Sequence, residues 1–221
     1  MAIAGEDQKE KKSLPASLVR RNRIFLVVLV ALSLLPLAAA VVLYYGTPGM
    51  IAGAQTNRGW LLDPPVDLET LALRQADGEI LVPGERRRWR LLVFPGAGCD
   101  DACLDTIELA RQVHILLGRD EDRVLRLAVL EPGAPASLRG ALQRRLPEME
   151  LVRAESPVLA DTLAGRALRG RELPAGFADN VETGVLTVDP LGNVILYHGL
   201  DQIGSDLLAD LKQLLRLSNI G

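Results

Sequence analysis

Residues 89–103 read WRLLVFPGAGCDDAC and contain an apolar run, a break rich in glycine and two cysteines. Trp89–Phe94 is a short apolar run with the length and composition of a buried strand. The sequence PGAG at 95–98 then ends the strand, because proline and glycine are poorly accommodated in one. Cys99 follows, and apolar residues at helical spacing predict a helix that continues to about Leu117. The stretch therefore predicts a strand, a sharp turn and a helix, with two cysteines at the turn.

The elements that follow alternate between strands and helices. The pattern predicts strands at 124–130 and 151–153, helices at 137–146 and 156–168, an irregular segment at 170–183, a hairpin of strands 185–188 and 194–197, and a last helix at 203–217. Strand–helix–strand crossovers imply parallel central strands with helices on both faces of the sheet. This is the order of elements in the thioredoxin fold, so we predict an α/β, thioredoxin-like domain.

An uncharged run of 22 residues, IFLVVLVALSLLPLAAAVVLYY at 24–45, lies near the N-terminus. As a helix it would span about 33 Å, enough to cross a hydrocarbon core of about 30 Å. Six basic and three acidic residues precede it, and the first charge after it is Arg58. The positive-inside rule therefore predicts a cytoplasmic N-terminus and an exported remainder, which in a bacterial inner membrane faces the periplasm. A cleaved signal peptide is the alternative, but its apolar region would be only about 7–15 residues long.

The predicted organisation has four parts. They are a basic cytoplasmic tail at 1–23, a transmembrane helix at 24–45, a linker and extended segment at 46–70, and the thioredoxin-like domain at 71–221. Frequent glycine, proline and asparagine in 46–66 favour the linker. A hairpin is predicted at the start of the domain, with strands at 71–74 and 79–82 around an Asp77-Gly78 turn.

Composition excludes several classes of protein. Two cysteines in 221 residues cannot build a disulfide-rich secreted fold or a four-thiolate zinc site. A net charge of −3 argues against a surface devoted to nucleic acid, and we expect no nucleic-acid partner. Because the tail carries a net charge of +3, the exported part carries −6 and is acidic.

Cys99 and Cys103 are four residues apart where a strand gives way to a helix. At this spacing the Cβ atoms lie about 5–6 Å apart on one helix face, near the reach of a disulfide and suited to two thiolates on Cu(I). The start of a helix stabilises a thiolate, although Asp100 and Asp101 oppose it. We predict a redox pair or a Cu(I) site, and a plain stabilising disulfide is the alternative.

The chain has two histidines, and neither has a clear role. His114 would lie about 16 Å along the helix from Cys103, too far to share a metal, and is interpreted as a packing or surface residue. His198 ends the second hairpin strand, where a surface position is favoured over a role as a third metal ligand.

Several motifs together resemble a known group of proteins. They are the N-terminal apolar run, NRGWLLDPP at 57–65, Trp89 before an apolar strand, CDDAC at 99–103, ARQVH at 110–114, VDPLGN at 188–193 and the terminal LLRLSNIG. The chain resembles the single-pass, thioredoxin-like membrane proteins of proteobacteria associated with cytochrome c oxidase assembly, which are distantly similar to the Sco/SenC copper proteins. The resemblance covers nearly all of residues 18–221.

The resemblance implies a Sco-like fold in which Cys99 and Cys103 hold copper or exchange disulfides. In Sco proteins a distant histidine completes the copper site, about nine residues before the hairpin proline. Val181 occupies that position, nine residues before Pro190. The resemblance therefore leaves only the two cysteine thiolates as copper ligands, which can still bind Cu(I). The chain also lacks the proline that ordinary thioredoxins carry just before the third core strand, since Thr183 and Gly184 precede it.

We therefore expect an accessory factor in cytochrome c oxidase assembly, anchored in the bacterial inner membrane, that handles copper or maintains thiols through its C-x₃-C pair. Its expected partners are the lipid bilayer and oxidase subunits or other assembly factors. Two alternatives stay open: a general periplasmic thiol–disulfide oxidoreductase, which would be an enzyme, and a non-catalytic docking module with a structural disulfide.

Overall fold

The computed structural model of the protein describes residues 16–46, 57–83, 87–164, 167–169 and 183–218. The chain divides into two compact units, 1–54 and 55–221, and each is described by itself. Residues 1–15 of the predicted tail and 47–56 of the predicted linker lie outside the described residues.

Helix α1, Ala16–Gly46, is the described part of the N-terminal unit. Large apolar side chains are exposed along it from Ile24 to Leu43. The window Arg20–Leu43 has 24 residues and a mean hydropathy of 2.9, so α1 is long and apolar enough to cross a membrane. It contains Pro36 without a break in the helix, as membrane helices tolerate.

The C-terminal unit is built on one mixed sheet. Its strands are β1 (Trp60–Asp67), β2 (Trp89–Phe94), β3 (Val124–Leu130), β4 (Glu150–Arg153), β5 (Ala167–Arg169), β6 (Gly184–Val188) and β7 (Asn193–Gly199). They lie in the order β4-β3-β2-β6-β7-β1-β5, with β2, β3 and β4 parallel and all other neighbours antiparallel. The predicted α/β, thioredoxin-like fold is confirmed.

Helices cover both faces of this sheet. They are α2 (Asp101–Ile115), α3 (Ala136–Arg145), α4 (Val158–Leu163) and α5 (Ser205–Leu217). Side chains alternate along a strand, so Leu91 and Val93 pack with α2, α3 and α5, whereas Leu92 and Phe94 pack with α4 on the other face. Helices α2 and α3 share a face because both are crossovers between parallel strands taken in the same direction across the sheet.

The segment interpreted as a linker and extended region contains a strand. β1 pairs with β7 along one side and β5 along the other, and its register shifts between Leu61 and Val66, around Pro64 and Pro65. Prolines cannot donate ladder hydrogen bonds, so the pairing is interrupted there and resumes afterwards. The same prolines are typical of loops, so the sequence favours a linker here and not a strand.

Two other predicted elements differ from the structure. The hairpin predicted at 71–82 is reduced to isolated bridges, Arg74↔Ile80 and Arg74↔Arg153, because Arg74 also pairs with the residue that ends β4. The helix predicted at 156–168 is wrong beyond Leu163, since Ala164 is extended and leads to β5.

Candidate functional site

One edge of the sheet brings together the ends of three strands. β2 ends at Phe94, which pairs with Gly184 at the start of β6, and Gly184 pairs with Gly199 at the end of β7. The loop that carries Cys99 leaves the sheet at this edge. The site is therefore at the carboxyl end of a parallel strand, the usual position for binding residues in α/β sheets.

The turn between β2 and the cysteines is held by two hydrogen bonds. The amide of Cys99 donates to the carbonyl of Gly96 at 2.9 Å. The amide of Gly96 donates to Oγ1 of Thr183, the residue before β6, at 3.2 Å. Thr183 thus stands beside the cysteine loop, close in sequence to where ordinary thioredoxins carry their proline.

Thr183 is fixed from a second direction. The hydroxyl of Tyr197 donates to its carbonyl at 3.2 Å, and Tyr197 stacks on Trp60 with ring centroids 5.2 Å apart. Burial, with a smaller contribution from Asp201, raises the pKa of Tyr197, so its hydroxyl keeps the proton that it donates. Thr183 is therefore held from both sides, through its hydroxyl and through its carbonyl.

Helix α2 begins directly after Cys99. Asp100 is its N-cap, and Oδ1 of that residue accepts a hydrogen bond from the amide of Cys103 at 2.9 Å. Cys103 thereby lies in the first helical turn, where the partial positive charge of the helix is greatest.

Cys99 and Cys103 form a disulfide, with Cα atoms 5.3 Å apart. Cys99 is partly exposed, whereas Cys103 is 9% exposed and belongs to the apolar core between the sheet and α2. The pair is asymmetric: an incoming thiolate can reach one sulfur more easily than the other. Such a pair can open by thiol–disulfide exchange with the buried sulfur as leaving group.

His198 is not at the surface, and the prediction of a surface position is wrong. Its side chain is fully buried under α5, and Nε2 lies 3.0 Å from Oδ2 of Asp210. Its other nitrogen, Nδ1, has no hydrogen-bond partner among the described residues. His198 is buried because its position in β7 points to the face that α5 covers.

Asp210 also holds the chain that precedes β1. Its carboxylate accepts hydrogen bonds from the amide of Arg58 at 2.9 Å and from the amide of Gly59 at 2.8 Å. Burial disfavours its ionisation, but the hydrogen bonds from His198, Gly59 and Arg58 outweigh burial and lower the pKa of Asp210. Gln202 adds a hydrogen bond from its amide to the carbonyl of Arg58 at 2.9 Å.

We call His198, Asp210, Gln202, Arg58 and Gly59 the edge clamp. Sequence analysis missed it because its members are far apart in the chain. One signal was present: Asp210 lies on the same helical face as the apolar residues 207, 211 and 214, where a carboxylate needs a buried partner.

The histidines do not complete a metal site with the cysteines. Nε2 of His114 lies 2.8 Å from the carbonyl of Val124, as expected for a packing residue. Nε2 of His198 is hydrogen-bonded to Asp210. Among the described residues, no group of three or more His, Cys, Asp or Glu could hold a metal ion. Val181 lies outside the described residues. The donors that the structure describes do not fit a three-ligand copper site of the Sco kind.

Residues 89–218 match the family of transmembrane-like, thioredoxin-like C-terminal domains, and the chain belongs to this family. It combines a thioredoxin-like C-terminal domain with an apolar N-terminal helix that suggests a membrane anchor. No curated protein matches the sequence.

The solved structures to which this chain is similar include a thiol:disulfide interchange protein and two Sco proteins. A thiol:disulfide interchange protein from Bacteroides sp. is 13% identical, with a TM-score of 0.44 over 75% of this chain and 95% of its own. BsSco, a member of the Sco family of cytochrome c oxidase assembly proteins, is 14% identical, with a TM-score of 0.46 over 74% and 98%. ScoI of Bradyrhizobium japonicum, with copper bound, is 17% identical, with a TM-score of 0.41 over 72% and 99%.

Proposed function

We propose that the protein is a membrane-tethered thiol–disulfide exchange factor that acts on partner cysteines during cytochrome c oxidase assembly. The observation that carries the proposal is the asymmetry of the Cys99–Cys103 disulfide, in which Cys99 is partly exposed and Cys103 is buried. A disulfide that closes so short a loop contributes little to stability, which favours a chemical role over a structural one.

The exchange starts from the disulfide. A partner thiolate attacks Sγ of Cys99, a mixed disulfide forms, and the sulfur of Cys103 leaves as a thiolate. The thiolate of the partner's second cysteine then attacks the sulfur of the partner's first cysteine in the mixed disulfide, and the thiolate of Cys99 leaves. The partner loses two electrons and gains a disulfide, while Cys99 and Cys103 gain the electrons and become a dithiol. The reverse reaction reduces a partner disulfide and requires a dithiol donor to regenerate the pair.

The start of α2 favours the leaving group in the first step. The departing sulfur of Cys103 is in the first helical turn, where the helix terminus stabilises negative charge. Asp100 acts in the opposite direction, since its carboxylate lies between the two cysteines in sequence and repels both thiolates. Its hydrogen bond to the amide of Cys103 keeps the turn in place while the disulfide opens.

The assignment to oxidase assembly is supported by the sequence motifs shared with that group and by the apolar helix. We propose that the basic tail at 1–23 lies in the cytoplasm and the thioredoxin-like domain in the periplasm, on the side where disulfides persist. The partners would then be the lipid bilayer and oxidase subunits or other assembly factors whose copper-site cysteines need a defined redox state.

Copper handling would use the same two sulfurs. It requires reduction of the disulfide first, because a metal is bound by thiolates and not by a disulfide. Two thiolates are donors that suit Cu(I). Anaerobic Cu(I) titration of the reduced protein, beside the Cys99→Ser/Cys103→Ser variant, measures this capacity: one equivalent bound only by the wild type supports it, and equal binding by both contradicts it.

The exchange proposal is tested by trapping. In Cys103→Ser the thiolate of Cys99 can still attack a disulfide of the partner, as in the reverse reaction, but the sulfur that would then displace the partner is absent. The mixed disulfide through Cys99 should therefore accumulate in cells. Cys99→Ser leaves only the buried sulfur and is the matched control. An oxidase subunit or assembly factor captured by the first variant and absent from the second supports the proposal, and no capture by either contradicts it.

Deletion of the gene tests the physiological role. Oxidase activity and the copper content of the oxidase should fall under copper limitation, and normal values for both would contradict the assignment. Complementation by Cys99→Ser/Cys103→Ser separates chemistry from a docking role: full rescue would support the non-catalytic alternative.

A further inference from the structure

A cavity of about 370 Å³ opens at the same edge of the sheet as the disulfide. It is lined by the ends of β3 and β4 and by the start of α3, with two arginines and one glutamate among its lining residues: Leu130, Glu131, Ala134, Pro135, Ala136, Arg139, Arg153 and Ala154. Its volume falls within the range of small-ligand sites, about 300–1,000 Å³. Neither the exchange reaction nor the edge clamp uses it.

The cavity is next to the cysteine loop. β3 pairs in parallel with β2, with Ala128 opposite Val93. Leu130, the last residue of β3, therefore lies about one interstrand distance from the start of the turn that leads to Cys99. Ala134 on the cavity wall packs against the same apolar cluster as Cys99. A polypeptide bound at Cys99 can therefore extend into the cavity.

The charge of the cavity differs from that of the cysteine loop. Arg139 and Arg153 are exposed, and neither guanidinium has an ion pair or a side-chain hydrogen bond within the described parts of the chain. Glu131 is engaged elsewhere, because its Oε1 accepts a hydrogen bond from the amide of Leu159 at 2.8 Å. The lining therefore has two arginines without an ion pair among the described residues and one carboxylate, which leaves an excess of one positive charge to attract an anion.

The cysteine loop carries the opposite charge. Asp100 and Asp101 are exposed beside the disulfide. A partner with an acidic residue directly beside its cysteine would be repelled there, whereas an acidic residue a few positions away could reach Arg139 and Arg153.

We propose that the cavity is a subsite for an acidic side chain of the thiol-bearing partner, displaced along the polypeptide from the reacting cysteine. The inference rests on the proposed exchange function and names its substrate class: a peptide segment with a neutral or basic neighbour to the cysteine and a carboxylate farther along. The two guanidiniums bind the carboxylate and set the register in which the partner's thiolate meets Cys99.

The test uses the full chain in a neutral detergent and peptides of nine residues with one central cysteine. In one series a single glutamate is placed in turn at each of the positions that the cysteine does not occupy. In a matched series glutamine replaces that glutamate. The rate constant for formation of the mixed disulfide is measured for each peptide at low and high salt, with the wild type and with Arg139→Ala/Arg153→Ala. Arg144→Ala is the matched control, since Arg144 is exposed on the same helix and does not line the cavity.

At one or a few positions away from the cysteine, the glutamate peptide should react about five-fold faster than its glutamine partner. The gain should disappear at high salt and in Arg139→Ala/Arg153→Ala but persist in Arg144→Ala. The rates of the glutamine peptides should be the same for all three proteins, which also shows that the double variant is folded.

Two results overturn the inference and can be told apart. If the peptides open the disulfide but glutamate gives no gain at any position, or the gain survives the double substitution, the subsite is absent and the exchange function stands. If no peptide opens the disulfide, the exchange function fails and the inference fails with it.

Discussion

Nε2 of His198 lies 3.0 Å from Oδ2 of Asp210, and both side chains are buried between the sheet and the last helix. The same carboxylate accepts the amides of Arg58 and Gly59, so a single side chain ties β7, α5 and the start of β1 together. This joint is at the edge of the sheet that carries the disulfide. The edge clamp therefore stabilises the end of the sheet from which the loop that carries Cys99 leaves.

Replacing Asp210 should test the strength of the edge clamp. In Asp210→Asn the negative charge is lost and an NH₂ group, which donates, replaces one of the two oxygens that accept hydrogen bonds from Arg58, Gly59 and His198. Breaking a buried pair in this way costs about 3–5 kcal/mol of the free energy of unfolding. Urea unfolding of the full chain in a neutral detergent measures it, and tryptophan fluorescence reports on this unit because both tryptophans, Trp60 and Trp89, belong to it.

The control for that variant is Asp206→Asn, one turn earlier on α5. Asp206 pairs with the exposed guanidinium of Arg58 at 2.8 Å, and an exposed ion pair contributes only about 0–1 kcal/mol. Equal losses in the two variants would mean that the burial of Asp210 adds nothing, contrary to the structure.

Acid should weaken the edge clamp. The pKa of Asp210 is lower in the folded protein than in the unfolded chain, so its contribution to stability is complete above the unfolded value, about 3.9, and is lost as pH falls through the folded value. The difference in free energy of unfolding between wild type and Asp210→Asn should shrink as the pH falls below about 4. A difference that grows on acidification would contradict the direction of the pKa shift.

Much of the fold could be predicted because its signals are local. Apolar runs such as Trp89–Phe94 and Val124–Leu130 are buried on both faces, and the turn residues at 189–193 lie between two strands of equal pattern. β1 was missed because Pro64 and Pro65 are typical of loops, although the residues around them pair with β7.

The candidate site was predictable only where its residues are neighbours in sequence. Cys99 and Cys103 are four apart at a helix start, so their spacing alone indicates that a disulfide between them is possible. His198 was interpreted as a surface residue because its partner, Asp210, is supplied by another element. Nothing in the sequence around Thr183 indicated that its hydroxyl would hold the cysteine loop, since that contact depends on how β6 pairs with β2.

Gly59 should not tolerate a side chain. A Cβ atom there would lie 2.5 Å from Nε2 of His198, which is fixed by Asp210 and cannot move aside. We expect Gly59→Ala to lower the free energy of unfolding by about 1–3 kcal/mol. Gly140→Ala is the control with the opposite expectation: it lies inside α3 with only the flexible end of Arg144 nearby, so alanine should stabilise by about 0.5–1 kcal/mol. The free energies of unfolding of both variants are measured with urea. A change of the same sign in Gly59→Ala and Gly140→Ala would contradict the close packing at Gly59.

Reduction of the disulfide should leave the domain folded. Closing a loop of five residues stabilises a protein by about 2 kcal/mol at most in the chain-entropy model. We expect the reduced wild type and the Cys99→Ser/Cys103→Ser variant to keep their far-ultraviolet circular dichroism spectra and to lose no more than about that amount in urea unfolding. Unfolding on reduction would mean that the disulfide is a brace and would favour the non-catalytic alternative.

Asp100 combines two effects that one substitution can separate. Asp100→Asn keeps a good N-cap, so the free energy of unfolding should change by less than about 0.5 kcal/mol, but it removes a negative charge beside both sulfurs. An attacking thiolate and the departing Cys103 thiolate are then repelled less, and the disulfide should open a few-fold faster with a small thiol such as dithiothreitol, most clearly at low salt. Asp100→Ala loses the cap as well and should cost about 1 kcal/mol of stability. An unchanged or slower rate for Asp100→Asn would show that the charge of Asp100 does not reach the reacting sulfurs.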